Sequence, residues 1–297
     1  MSEKPISDEE MKNLRLLDAM YDEAFRKVGY LDKKQAPVLY EVVSKQAKEL
    51  GIDMEKDGIK IYIMGGDKND PLDLDAHNLK MSRDGKTLYI GQKVFGSDYA
   101  FKPDHPEMFS LSAFEGDMRH ELQHHNDLKE GRYGALPGLK EFLSSGDFKA
   151  LRKANECRAD FASPGNEGRI EELSTQTAMF GLFAENDTHP SASDRLKSAM
   201  IQWYIKEETG VILTPNDVKF NKNCEFSITN KEKLHAIPPD VLQKAYEIAE
   251  KDSATLEKMA KESSEALNMV YGIMNEAKTP SVPLRPKEPD ARRGIYH

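Results

Sequence analysis

The chain has little cysteine: only Cys157 and Cys224 occur in 297 residues, and no CxxC pair is formed. Neither a disulfide framework nor a thiolate zinc site is expected, and both residues read as buried apolar filler. No run of 18 apolar residues exists, so no stable membrane insertion is expected. Residues 1–10 contain no apolar stretch of the kind a secretory signal needs, and the expected compartment is the cytoplasm. Non-classical export to a host cell would leave the same signature. Basic residues are outnumbered, 42 Lys and Arg against 51 Asp and Glu, and the net charge of −9 argues against a nucleic-acid partner. Tryptophan occurs once and no internal repeat is visible. With 38% apolar and 31% charged residues, the chain has enough apolar material to bury a sizeable core, in one large domain or two modest ones.

Against these absences stands one dense motif. His120, Glu121, Leu122, Gln123 and His124 spell HExxH. Met118, Leu122 and Leu128 supply apolar positions, no Pro or Gly falls between 117 and 130, and Gly131 offers a stop, so the motif is expected on a helix. Positions i and i+4 share a helix face, so His120 and His124 can hold one zinc ion, with Glu121 beside them as the base for a water. A catalytic zinc takes three protein ligands. Asp127 and Glu130 occupy the positions where a metzincin carries glycine and its third histidine, so that class is rejected. Glutamates after the motif include Glu130, Glu141, Glu156, Glu171, Glu172 and Glu185. Glu156 is favoured because Asp160 lies one turn on. A carboxylate there can accept a hydrogen bond from a ligating imidazole and fix its tautomer.

Periodicity organises the remainder. Helices are expected over residues 8–28, 36–50, 148–162, 167–183, 195–207, from Pro238 or Pro239 to Lys251, and 253–277. Strands are expected over 58–64, 76–81 and 87–91, giving a sheet of about three strands whose edge, near 76–82, can pair with an extended peptide. Residues 210–230 follow no pattern, and 279–297, rich in proline and basic residues, are expected to be a disordered tail. The fold class is α+β, mainly helical, with a small sheet and the HExxH helix. Its expected segments are N-terminal helices over 1–50, a metallopeptidase core over 51–210, a helical region over 211–278, and the tail.

Three blocks occur in order: HELQH, then Glu156 to Asp160 (ECRAD), then Thr188, His189, Pro190 and Ser191 followed by Arg195. Together they resemble the HtpX-like and CAAX prenyl protease family of gluzincin metallopeptidases, over about residues 76–205. The resemblance implies a zincin-like core with one zinc per chain held by His120, His124 and Glu156, and Glu121 as general base. Asp160 would orient a ligating histidine, His189 would stand near the site to stabilise an oxyanion, and Arg195 would hold the segment around it. Ala76, His77, Asn78 and Leu79 look like the family's substrate-side strand. Gln123 stands where many members carry glycine, and membrane helices between the blocks are absent, so the chain is similar to compact soluble members. The expected function is a zinc endopeptidase acting on a protein or peptide substrate. The alternatives are a non-catalytic zinc-binding interaction protein and a regulatory metallopeptidase with a single target.

Overall fold

The computed structural model describes residues 8–65, 79–94, 111–132, 146–163, 190–221 and 223–256, with the isolated positions 170, 173 and 258. The expected helix at 167–183, the loop carrying His189, residues 76–78 and the C-terminal tail lie wholly or largely outside them. The described part is mixed α/β and mostly helical. Among the described residues, no helix is long and apolar enough to cross a membrane.

Helix α1 (Asp8–Arg26) and helix α2 (Pro37–Glu49) pack against each other and share one apolar cluster with the sheet. Proline at the first turn of α2 donates nothing there. The two following amides, of Val38 and Leu39, donate to the Glu23 carboxylate of α1 at 3.1 and 2.8 Å. That bond caps one helix with another. Between them lies β1 (Gly29–Leu31), followed after α2 by the short α3 (Met54–Asp57), β2 (Lys60–Met64), β3 (Leu79–Met81) and β4 (Thr87–Gly91). The sheet order is β1-β2-β4-β3, with β2 and β4 parallel and both outer pairs antiparallel. It thus holds four strands rather than about three. Strand β3 is an edge, as expected for the segment near residue 80.

Side chains alternate across this sheet. Leu31, Ile61, Ile63, Leu88 and Ile90 point inward and are buried against α1, α2 and one face of α4 (Leu111–Lys129). Phe114, Met118 and Leu122, four residues apart, form that face. A second apolar cluster lies beyond α4. It joins α5 (Gly146–Asp160), α6 (Ala192–Thr209), the hairpin of β5 (Val218–Phe220) and β6 (Phe226–Ile228), and Ile237, Ala245 and Ala249. The last two sit on α8 (residues 239–256), which follows the short α7 (Lys231–Ala236). Residues 211–249 therefore pack with α5 and α6.

Four expectations are corrected. The stretch 210–230 contains a hairpin, and α7 follows it. Helix α8 runs unbroken through Asp252, so the separate helices expected before and after residue 252 are one at that point. β1, which periodicity did not predict, adds a strand. Cys157 and Cys224 are not separate apolar fillers but a disulfide joining α5 to the β5–β6 turn.

Candidate metal centre

Helix α4 carries two faces. Its apolar face enters the sheet cluster. Its other buried face is polar: His120, Gln123 and Asp127 are all under about 6% exposed. Helix α5 meets this face with Asn155, Glu156, Arg158 and Asp160, likewise buried. Buried polar groups need partners, and the two helices supply them to each other across the seam.

At the centre, one donor atom each from His120, His124 and Glu156 lie within 4.8 Å of one another. Glu156 Oε2 is 3.3 Å from His120 Nε2 and 3.6 Å from His124 Nε2. Ligands about 2.0–2.1 Å from a tetrahedral zinc stand about 3.4 Å apart, so the donor set and its spacing fit one such ion. On its far side, His120 Nδ1 is 2.8 Å from Asp160 Oδ1. With the carboxylate ionised, Nδ1 is the donor; Nε2 faces the cluster, donating to Glu156 while protonated and offering its lone pair once that proton is lost.

Arg195 of α6 holds Asp160 with two bonds, Nε to Oδ2 and Nη2 to Oδ1, both 2.8 Å. Its described partner is thus the carboxylate behind the cluster. The segment around His189, which it was expected to hold, lies outside the described residues. Burial would raise the Glu156 carboxyl, but the charge of His124 and the hydrogen bonds from both histidines outweigh it. They hold Glu156 well below the usual carboxylate range. Burial would likewise lower His124, yet the charge of Glu156 and its hydrogen bond, helped by Glu121 and Asp160, raise it.

Glu121 faces the sheet edge. Its Oε2 accepts the main-chain N–H of Met81 on β3 at 2.6 Å. The bond sets the edge strand beside the cluster and fixes one oxygen of the carboxylate. Of the four residues expected on the substrate strand, Leu79 lies on β3. Ala76, His77 and Asn78 lie outside the described residues, as does His189.

Sequence reasoning passed over three parts of this seam. Asp127 pairs with Arg158 Nη1 and accepts from Gln123 Nε2 at 2.9 Å. Burial pushes the pKa of Arg158 down to about 10. Its Nε also donates to the carbonyl of Pro215 at 3.1 Å, tying α4 and α5 to the loop before β5. The spacing of His120, His124 and Asp127, at i, i+4 and i+7, was the available signal: a polar stripe on an otherwise amphipathic helix. His125, buried, places Nδ1 2.8 Å from the Gly85 carbonyl and so docks the β3–β4 turn on α4. The Met81 N–H has no sequence signature at all.

No family model matches the chain, and neither a curated protein nor a solved structure shows significant similarity to it.

Proposed function

We propose that the chain is a compact gluzincin-type zinc endopeptidase with a zincin-like core. The observation that carries this reading is that Glu156, on a separate helix, brings one oxygen within 3.3 and 3.6 Å of the two HExxH histidines, with Asp160 behind His120. The sequence resemblance to the HtpX-like and CAAX prenyl protease family points the same way. Structural zinc sites are closed by four protein ligands, whereas catalytic sites keep a position open. The described cluster offers three.

His120 and His124 would hold the metal through Nε2, with Asp160 keeping the proton on His120 Nδ1, and Glu156 would supply the anionic ligand. Zinc held there would polarise a peptide carbonyl and lower the pKa of a water toward about 7. Glu121, anchored through Oε2 by Met81, has Oε1 to take a proton from the attacking water and deliver it to the leaving amine. The outer edge of β3 lies beside that carboxylate and binds the substrate backbone as an added strand. The Cys157–Cys224 bond suits an oxidising compartment better than a reducing cytosol, which favours action after export.

A second reading, a zinc-bound interaction scaffold, is favoured by one feature: the ligands bridge two apolar clusters, so an ion would tie them together. Two variants separate the readings. Metal analysis should find about one zinc per chain, strongly reduced in Glu156→Ala. Glu121→Gln should keep zinc and melting temperature and lose hydrolysis by about 10²–10⁴-fold, read as new N-termini in a cell lysate. Equal rates in wild type and Glu121→Gln would sink the endopeptidase reading. Zinc without any new N-termini would favour the scaffold.

A further inference from the structure

The last turn of α5 carries Glu156 and Asp160, two of the residues that build the metal cluster, and Cys157 directly follows the first of them. Three residues of that turn and just beyond it reach the segment 215–226. Cys157 is bonded to Cys224 in the β5–β6 turn. Arg158 donates from Nε to the Pro215 carbonyl at 3.1 Å and from Nη2 to Asn216 Oδ1 at 2.7 Å. Phe161 packs its ring against Phe220 and Phe226. The hairpin and the loop before it thus back the helix that presents Glu156.

That backing is lightly built. β5 and β6 have three residues each, and a two-stranded ribbon of this length is marginal by itself. Asn221 shapes the turn: its Oδ1 accepts the N–H of Asn223 at 2.9 Å and that of Glu225 at 3.1 Å. Cys224 sits in the turn at φ 59°, the one positive φ at a non-glycine among the described residues. A residue with a Cβ adopts that conformation at a cost, so its surroundings must hold it there. The bonds that do so include the disulfide and the Ser198 hydroxyl of α6, which donates to the Cys224 carbonyl at 2.7 Å. With the disulfide open, the Ser198 bond and the phenylalanine contacts still attach the hairpin. The turn is then free to leave the left-handed conformation, and α5 loses a covalent tie one residue from Glu156. The hairpin therefore has a second arrangement that does not require unfolding.

We propose that the Cys157–Cys224 disulfide is a redox switch on metal affinity: the disulfide form of the chain holds zinc at His120, His124 and Glu156 more tightly than the dithiol form. The inference rests on the metal-ligand part of the reading above and not on hydrolysis. A dithiol reductant supplies the two electrons. One of its thiolates attacks a sulfur of the bond, the S–S bond breaks, and the other cysteine leaves as a thiolate and takes up a proton. The reductant's second thiol then displaces the first cysteine, which is protonated in turn, and the reductant closes its own disulfide. Cys224 lines a cavity between α6, α8 and the turn, which gives a reductant an approach. In a reducing compartment the chain is the low-affinity dithiol; entry into an oxidising one forms the bond and raises the affinity. By linkage, the factor by which the disulfide tightens zinc is the factor by which zinc favours the disulfide.

Zinc affinity is measured on the full chain by competition with a chelating indicator, in the disulfide form, after reduction by a phosphine, and in Cys157→Ala with Cys224→Ala. The reduced chain and the double variant should each bind zinc about tenfold more weakly than the disulfide form, within the usual span of coupling between two sites. Their agreement would show that the cross-link sets the difference and that the freed thiols do not join the ligands. The reciprocal measurement is the fraction of disulfide at equilibrium in a glutathione buffer, read by alkylation and mass. Saturating zinc should shift that equilibrium about tenfold toward the bond. Amide protection of β2 and β4 should be the same in all three forms. Equal affinities, tighter binding by the reduced chain, or a glutathione equilibrium indifferent to zinc would overturn the proposal. So would loss of β2 and β4 protection on reduction, which would mean unfolding in place of switching. Zinc bound by neither form would remove the metal reading as well, whereas equal binding by both forms would leave that reading intact and remove the switch alone.

Discussion

The two apolar clusters on either side of the metal centre are built differently. The sheet-side cluster is mostly aliphatic: Leu17, Met20, Leu39, Val43, Ile61, Ile63, Leu88 and Ile90 fill it, with α1, α2 and α4 backing four strands. The other is small, aromatic and stapled. Phe161 meets the rings of Phe220 and Phe226 at 4.9 Å each, two three-residue strands frame them, and the Cys157–Cys224 bond crosses 67 residues of chain. A layer with a wide aliphatic interior can hold itself together through burial alone. A cluster built on a three-residue hairpin has little ladder to rely on, and a cross-link supplies order that packing does not. The candidate ligands divide along the same line, two histidines from the first side and Glu156 from the second. The geometry of that cluster is therefore only as firm as the weaker side.

The disulfide offers the largest test of that contrast. Removing it as Cys157→Ala with Cys224→Ala should cost about 4 kcal/mol, the chain-entropy value for a loop of this length. The loss should appear first on the hairpin side. Trp203, the one tryptophan, packs against that cluster and reports it by fluorescence. Its transition should move to lower urea, while amide protection of β2 and β4 outlasts it. A single transition for both probes would show that the clusters unfold as one unit and would break the comparison.

Arg195 tests the seam from the same side. Asp160 has no exposed side-chain surface, and Arg195 is the cation bonded to both of its oxygens. Arg195→Ala takes the guanidinium from a buried carboxylate, at a cost of about 3 kcal/mol. It should also weaken zinc binding about 10–100-fold, because Asp160, which fixes the tautomer of His120, loses the group that holds it in place. A chelator-competition titration reads the second effect separately from urea unfolding. Unchanged zinc affinity would mean that Asp160 orients His120 without help from α6.

What could be read from sequence follows the same division. The HExxH helix, its stop at Gly131, β2, β4 and the pairing of Glu156 with Asp160 carry strong local signals: helical spacing, alternation, and carboxylates four apart. β1 is three residues long, too short for alternation to register. The β5–β6 turn uses Cys224 at φ 59° where a glycine or asparagine would have announced it. The cysteine pairing spans 67 residues, and spacing at that range carries no geometric information. The ion pair between Asp127 and Arg158 joins two helices whose mutual placement no local pattern encodes. Sequence reading thus recovers residues announced by a motif within one element, Glu156 and Asp160 among them, and it loses most of what one element does for another where no motif marks it.

Gly85 tests the opposite side of the seam. It turns the β3–β4 connection at φ +69°, and a Cβ there would come within 3.0 Å of Leu128 Cδ1 and 3.4 Å of His125 Nδ1. Gly85→Ala meets both the left-handed backbone penalty and that contact, for about 2 kcal/mol. The sheet interior is not touched, so amide exchange should accelerate in β3 and the turn while β2 stays protected. Equal acceleration across the sheet would show that the aliphatic cluster depends on the docking of its edge.

Asp217 gives the smallest effect and isolates the hairpin side by pH. Its carboxylate accepts the Thr214 N–H at 2.8 Å, the Thr214 hydroxyl at 2.6 Å, Asn230 Nδ2 at 2.8 Å and Lys233 Nζ at 2.6 Å. These bonds tie the loop before β5 to the start of α7. Burial would raise its pKa, but the bonds from Lys233, Thr214 and Asn230 outweigh it, and the folded value lies below the ordinary one. A group depressed in this way binds its proton more readily when the chain is unfolded. Its stabilisation is therefore complete above about pH 4, the unfolded value, and is lost as pH falls through the lower folded value. Asp217→Asn should cost about 1.5 kcal/mol near neutral pH, as hydrogen bonds to a charged group do. The difference from wild type should shrink below about pH 4 when unfolding is followed by Trp203. Probes in β2 and β4 should register neither change. A difference that persists unaltered into acid would show that Asp217 acts through its shape and neutral hydrogen bonds, and that the hairpin side does not depend on its charge.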